Sequence, residues 1–107
     1  MNKPSPAERE ALLISLLSRL FGGEITEGEL LRTLRKDLLK MSQTDYANMV
    51  GISRRTLSDI ERNTGSPTLA VLNTVFKPFG LKAGLLPRNP ALMKKMLAEN
   101  IQPPGNP

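Results

Sequence analysis

Apolar positions along this chain fall into short runs at helical spacing, and most runs follow a residue suited to cap a helix. Leu12, Leu13, Ile14, Leu16, Leu17, Leu20 and Phe21 make the first run. Ahead of it stands "SPAE" at 5–8, with Ser5 as N-cap, Pro6 at the first helical position and Glu8 placed to close a capping box. Gly22-Gly23 ends it near Phe21. These apolar residues cover more than one narrow stripe, so the helix is either unusually well buried or shares a face with a partner.

"TEGE" at 26–29 repeats the signal with Thr26 and Glu29, and Leu30, Leu31, Leu34 and Leu38 follow at spacings near 3.6. Arg32, Arg35 and Lys36 lie on or beside the polar flank of this second helix. "SQTD" at 42–45 starts a third, capped by Ser42 and ended by Gly51, and Ser53 caps a fourth. "SPT" at 66–68 opens a fifth, with Pro67 expected at its first position and Leu69, Val71, Leu72, Val75 and Phe76 as its apolar residues. Lys77-Pro78 and Gly80 break it.

"GLKAGLLP" then alternates weakly, with Leu81, Ala83 and Leu85 on one side, and is expected to be a short strand over 81–86. A lone strand cannot satisfy its own backbone groups, so its expected partner is the same strand of another copy. That implies a homodimer joined by a small intermolecular sheet, the other reading being an irregular linker. "NPALMKKMLAEN" carries an Asn89 cap, Pro90 and an amphipathic run of Leu92, Met93, Met96 and Leu97, and the tail "QPPGNP" reads as disordered. The chain thus divides into an N-terminal helical extension (1–25), a helical domain (26–80), a dimerising strand (81–86) and a short helix with its tail (87–107).

Charge sharpens this picture. Fifteen Lys and Arg against ten Asp and Glu give +5, and the excess is uneven: residues 1–31 sum to −2, 32–62 to +3 and 63–107 to +4. A basic middle and C-terminal part favours an anionic partner such as nucleic acid, an acidic protein or a membrane surface. The chain has no cysteine and no histidine, which excludes disulfides, thiolate or imidazole metal sites and any nucleophile activated by histidine. There is no glycine-rich phosphate loop and no carboxylate cluster at metal-ligand spacing, so neither an enzyme nor a cofactor is expected. Four aromatic residues, mostly at core positions, also argue against single-stranded RNA as partner. No apolar run approaches the roughly 20 residues that span a bilayer, and the N-terminus lacks the character of a secretory signal. The expected compartment is the cytoplasm.

The window from Gln43 to Arg62, "QTDYANMVGISRRTLSDIER", carries the candidate site. Two short helices joined by a tight turn cross steeply and touch closely. Ala47 supplies the close contact, Gly51 the turn, and Tyr46, Val50, Ile52, Leu57 and Ile60 the inward positions. The second of these helices opens with Arg54 and Arg55, where the helix dipole disfavours positive charge unless something anionic meets it.

This window resembles the helix-turn-helix of the Cro/C1 (XRE-type) repressor superfamily, and the likeness continues through Glu61 and the helix from Thr68 to Phe76, covering roughly 30–80. It implies an all-α, lambda repressor-like fold that binds double-stranded DNA. In such a motif the second helix enters the major groove with its N-terminal residues first. By the resemblance, Arg54, Arg55 and Ser58 project into the groove, where arginine pairs bidentately with guanine. Asp59 either accepts from cytosine or holds Arg55 or Arg62 in position, and the second role is preferred because phosphates repel a carboxylate. Gln43 anchors to a phosphate, Ser53 caps the helix and touches a phosphate, and Thr56 lies on the flank near the backbone. Leu57 and Ile60 are core. In the family the acid at Glu61 pairs with a base on the preceding helix; the candidates are Arg35 and Lys36, and Arg35 is preferred because a guanidinium suits a partly buried pair. The link "KDLLKMSQ" is one residue longer than the family's and lacks its glycine.

Within the superfamily the chain resembles HipB-like regulators, the DNA-binding antitoxins of HipA-type kinase toxins, which are homodimers with C-terminal strands paired between protomers. The expected function is therefore a dimeric, autoregulating repressor on a pseudo-palindromic operator, with a HipA-like kinase toxin as a further partner. The alternatives are a partner-binding antitoxin, favoured by the wide apolar face of 12–21 and by Met93 and Met96, and a stand-alone XRE-type regulator.

Overall fold

A computed structural model of the protein describes residues 4–101; the tail 102–107, read from sequence as disordered, lies outside the described residues. Among the described residues six α-helices follow one another: α1 (Pro6–Phe21), α2 (Glu27–Thr33), α3 (Gln43–Val50), α4 (Arg54–Glu61), α5 (Leu69–Phe76) and α6 (Pro90–Ile101). A π-helical turn, Leu34–Leu38, prolongs α2, and a 3-10 turn, Lys77–Phe79, prolongs α5.

The caps decide where these helices start. The Ser5 hydroxyl accepts from the Glu8 amide at 3.2 Å, while the Glu8 carboxylate accepts from the Ser5 amide at 2.7 Å. The Ser5 amide foremost, and then the Ser5 side chain, hold the Glu8 carboxyl below its ordinary range. Thr26 and Glu29 close the same reciprocal box on α2. Ser42 accepts from the Asp45 amide and Ser53 from the Thr56 amide, each at 3.0 Å. Asn89 Oδ1 accepts from the Ala91 amide at the start of α6.

α5 begins later than its proline suggests. The cap is Thr68, whose hydroxyl accepts from the Val71 amide at 3.1 Å, so Pro67 stands outside the helix rather than at its first position. Thr68 is extended, with ψ of 161°, which aims its oxygen back at the first turn.

One core unites α1 with the elements up to the 3-10 turn after α5. Leu16 of α1 joins Leu30, Leu31, Leu34, Leu38, Tyr46, Ala47, Leu57, Ile60, Val75, Phe76 and Phe79 in a single buried cluster. The α1 side chains Leu12, Leu13, Leu17 and Leu20 pack half-buried against it, whereas Ile14 is exposed. The Tyr46 and Phe79 rings stack with centroids 5.9 Å apart, and the Tyr46 hydroxyl donates to the Val75 carbonyl. Burial, and secondarily the Glu61 charge, push that phenol well above its usual range. Over 90–99 of α6 only Met93 is buried; Leu92, Met96 and Leu97 remain exposed.

The expected strand over 81–86 does not form. Residues 81–87 take no regular secondary structure, and no strand occurs among the described residues. The alternation is nonetheless used: Leu81 and Ala83 turn partly inward, Lys82 and Gly84 outward. The Leu81 amide donates to the Phe76 carbonyl at 3.2 Å and the Ala83 amide to Asn73 Oδ1 at 2.8 Å. The segment is thus tied to its own α5, and a donor that a sheet would need is spent on an asparagine. The intermolecular sheet inferred from a lone strand, and the dimer pairing built on it, lose their basis.

Candidate nucleic-acid interface

α3 and α4 pack against each other across the turn at Gly51, whose φ of 82° is a left-handed conformation that a side chain would strain. Tyr46, Ala47, Leu57 and Ile60 are buried between these helices and the rest of the core, with Val50 and Ile52 half-buried at its edge. The residues read as the inward face of the motif therefore face inward.

The far end of α4 is fixed by a buried ion pair. Arg35 Nε donates to Glu61 Oε2 at 2.7 Å and Nη2 to Glu61 Oε1 at 2.9 Å, with both residues only 6% exposed. Arg35, the base preferred from sequence, is the partner; its Nη1 also donates to the Met41 carbonyl at 2.8 Å. Two forked bonds between planar groups fix orientation as well as distance. Gln43 joins this hub, its Nε2 donating to Glu61 Oε1 at 3.0 Å.

A second tie was not read from sequence. Gly28 lies so close to α4 that a Cβ there would fall 2.5 Å from the Ile60 carbonyl oxygen and 2.6 Å from that of Glu61. Asn63, at φ 58°, turns the chain after α4 and bridges back, accepting from the Gly28 amide at 3.1 Å and donating to Thr26 Oγ1 at 2.9 Å. The available signal was a glycine placed in the first helical turn of "TEGE", where alanine would be the better helix former.

With its C-terminal end clamped, α4 presents its N-terminal end outward. Arg54 and Arg55 are exposed, and among the described residues the one ion pair is Arg35–Glu61, so neither arginine has a carboxylate partner. The first turn of α4 contains no acid. Ser53 is occupied as a cap, accepting from the Thr56 amide and donating to Thr56 Oγ1 at 2.8 Å. Thr56, Ser58 and Asp59 are half-buried on the flank. Asp59 does not hold Arg55 or Arg62; Thr64 Oγ1 donates to its carboxylate at 3.4 Å and to its carbonyl at 3.1 Å.

A family profile described as helix-turn-helix matches residues 31–86. The chain belongs to the helix-turn-helix family. The matched span runs from the last turns of α2 to the segment after α5, so it contains both the Arg35–Glu61 pair and the motif helices α3 and α4. Among curated proteins, the Immunity repressor protein of Bacillus phage phi105 is 31% identical over 75 residues, 70% of this chain and 51% of that protein. The chain thus spans about half the length of the curated relative it matches. No solved structure matches it. For a helix-turn-helix protein the exposed start of the second motif helix is the part that meets base edges, while the first crosses the backbone. No helix among the described residues is long and apolar enough to cross a membrane.

Proposed function

We propose that this protein is a sequence-specific repressor that binds double-stranded operator DNA through α4. The observation that carries the reading is the pair Arg54 and Arg55: two exposed cations without acidic partners, at the positive end of a helix whose other end is locked to the core. An anion meeting that end relieves both the dipole and the charges, and a guanidinium pairs bidentately with guanine. Ser58 and Asp59 follow on the same helix as further base readers, and Gln43, Ser53 and Thr56 serve as phosphate contacts. The phage relative, an immunity repressor by name, supports transcriptional repression as the outcome. Two copies on a pseudo-palindrome would set their recognition helices roughly 34 Å apart.

The test is selection of bound duplexes from a random-sequence pool, followed by titration of the enriched duplex against a scrambled one. The expected result is a two-fold related motif, bound tightly by the wild type and lost on Arg54→Ala or Arg55→Ala with the thermal midpoint unchanged. A pool that enriches nothing would sink the reading; variants that bind the enriched duplex normally would sink the assignment of the readers.

A second reading is favoured by a groove of about 480 Å³ between α1, α5 and residues 81–86, walled by Leu17, Leu20, Leu72 and Leu81 and rimmed by the exposed Leu69 and Leu85. A partner-binding role, such as an antitoxin holding a HipA-like kinase or a second copy of this chain, would use that surface. It is compatible with DNA binding at α4.

A further inference from the structure

Beside the motif lies a second recess that the base-reading scheme leaves unused. It encloses about 390 Å³ and is lined by Arg32, Arg35, Lys36, Gln43, Glu61 and Arg62. Four cations and one carboxylate meet there, a net charge of +3. Arg35 and Glu61 neutralise each other. Arg32, Lys36 and Arg62 are exposed and, among the described residues, have no carboxylate within ion-pair distance. Three elements deliver them: Arg32 from α2, Lys36 from the π-helical turn, Arg62 from the residue after α4.

We propose that Arg32, Lys36 and Arg62 form a clamp for backbone phosphate, gripping the DNA strand that passes the start of α3 and adding affinity without reading sequence. The proposal rests on the DNA-binding reading above and adds to it a surface outside the recognition helix. Gln43 stands at the rim of the recess as the first residue of α3, and that helix is the one that crosses the DNA backbone in this motif. At the start of α3 the Gln43 and Thr44 amides lie ahead of the first intrahelical bond, while the Asp45 amide is taken by Ser42 Oγ. Arg62 stands eight residues beyond Arg54, about 12 Å along the helix axis, so it and the arginine readers stand at opposite ends of α4. Like charges held together without acids are what a phosphate chain neutralises. The buried Arg35–Glu61 pair keeps the recess in shape without competing for the anion.

The experiment measures affinity over a salt series for wild type, Arg62→Gln alone and the triple variant Arg32→Gln/Lys36→Gln/Arg62→Gln, on the enriched and the random duplex. All three side chains are exposed, and the thermal midpoint checks that the variants fold. Each lost phosphate contact flattens the plot of log affinity against log salt by about 0.9, so the triple variant loses about 2.7 of slope. Between 50 and 200 mM salt the wild type should then lose about 40-fold more affinity than the triple variant does. The loss is expected to be equal on both duplexes, whereas Arg54→Ala weakens only the enriched one. An unchanged slope, or a loss confined to the enriched duplex, overturns the clamp and leaves the repressor reading standing. A wild type that binds no duplex overturns both. Inorganic phosphate at matched ionic strength separates the sources: if it stabilises the wild type but not the triple variant far beyond chloride while their salt slopes on DNA are equal, the recess takes a free anion, and the DNA assignment falls.

Discussion

Replacing Gly28 with alanine tests how α4 is positioned. The substitution adds one methyl group in the first turn of α2, where the side chain would meet the carbonyl oxygens of Ile60 and Glu61 at 2.5 and 2.6 Å and Asn63 Oδ1 at 2.7 Å. Asn63 can rotate away. The two carbonyls belong to the backbone of α4 and move only with the helix. Ordinary contact near 3.4 Å requires the end of α4 to retreat by about 0.9 Å. That retreat stretches the Gly28–Asn63 bond, now 3.1 Å, and pulls Glu61 away from Arg35. Overpacking costs about 1–3 kcal/mol, and weakening a hydrogen bond adds about 1 kcal/mol. Against this, alanine is the better helix former by about 1 kcal/mol. The balance is a loss of about 2 kcal/mol, or about 10 °C in thermal midpoint for a domain of this size. Gly84→Ala is the control, because nothing lies within 4 Å of a Cβ there. Urea unfolding followed by circular dichroism reads both variants. A Gly28→Ala protein as stable as wild type, or more stable, would refute the claim that the helix crossing forbids a side chain.

Arg35→Met strands the Glu61 carboxylate in the core with Gln43 as its remaining side-chain partner, and should cost about 3–5 kcal/mol in urea unfolding. Adding Glu61→Leu should restore most of that, and a double variant no better than the single one would contradict it. The raised Tyr46 phenol gives an alkaline dependence: above about pH 10 the unfolded chain releases the phenolic proton while the folded chain keeps it. The unfolded state then binds fewer protons, so stability falls as pH rises past that point and is unaffected below it. Tyr46→Phe should lose this component between pH 9 and 11 in urea midpoints, at a pH-independent cost from the unpaired Val75 carbonyl; an equal alkaline decline in both proteins would refute it.

Much of the fold was legible because capping is local. Ser5–Glu8, Thr26–Glu29, Ser42–Asp45 and Ser53–Thr56 each act within a span of three residues, and each appears where its sequence puts it. Arg35 was identifiable as the partner of Glu61 from chemistry, since a guanidinium matches a buried carboxylate better than an ammonium does. The misses share a different cause. Thr68 rather than Pro67 sets the start of α5 through backbone geometry that a proline rule does not contain. The segment 81–86 has strand-like alternation, yet it is tied to α5 by the Phe76 carbonyl and by an asparagine side chain ten residues before Ala83. Asp59 faces Thr64, a loop residue whose position depends on the Asn63 turn. The role of Gly28 depends on a helix more than thirty residues away, and local periodicity carries no trace of that approach.

The link between α2 and α3 carries one further consequence. It contains a π-helical turn and no glycine, yet the buried face on either side stays in phase. The Leu39 amide bonds the Leu34 carbonyl at 3.1 Å, five residues back, so the turn is one residue wider than an α-helical one. Lys40, at φ 57°, then takes the left-handed turn that a glycine would make more cheaply. Leu34, Arg35 and Leu38 all remain buried as a result. The widened turn leaves Arg35 facing the carboxylate it grips. The orientation of α4 is thereby held by a buried pair whose base comes from an irregular helix end.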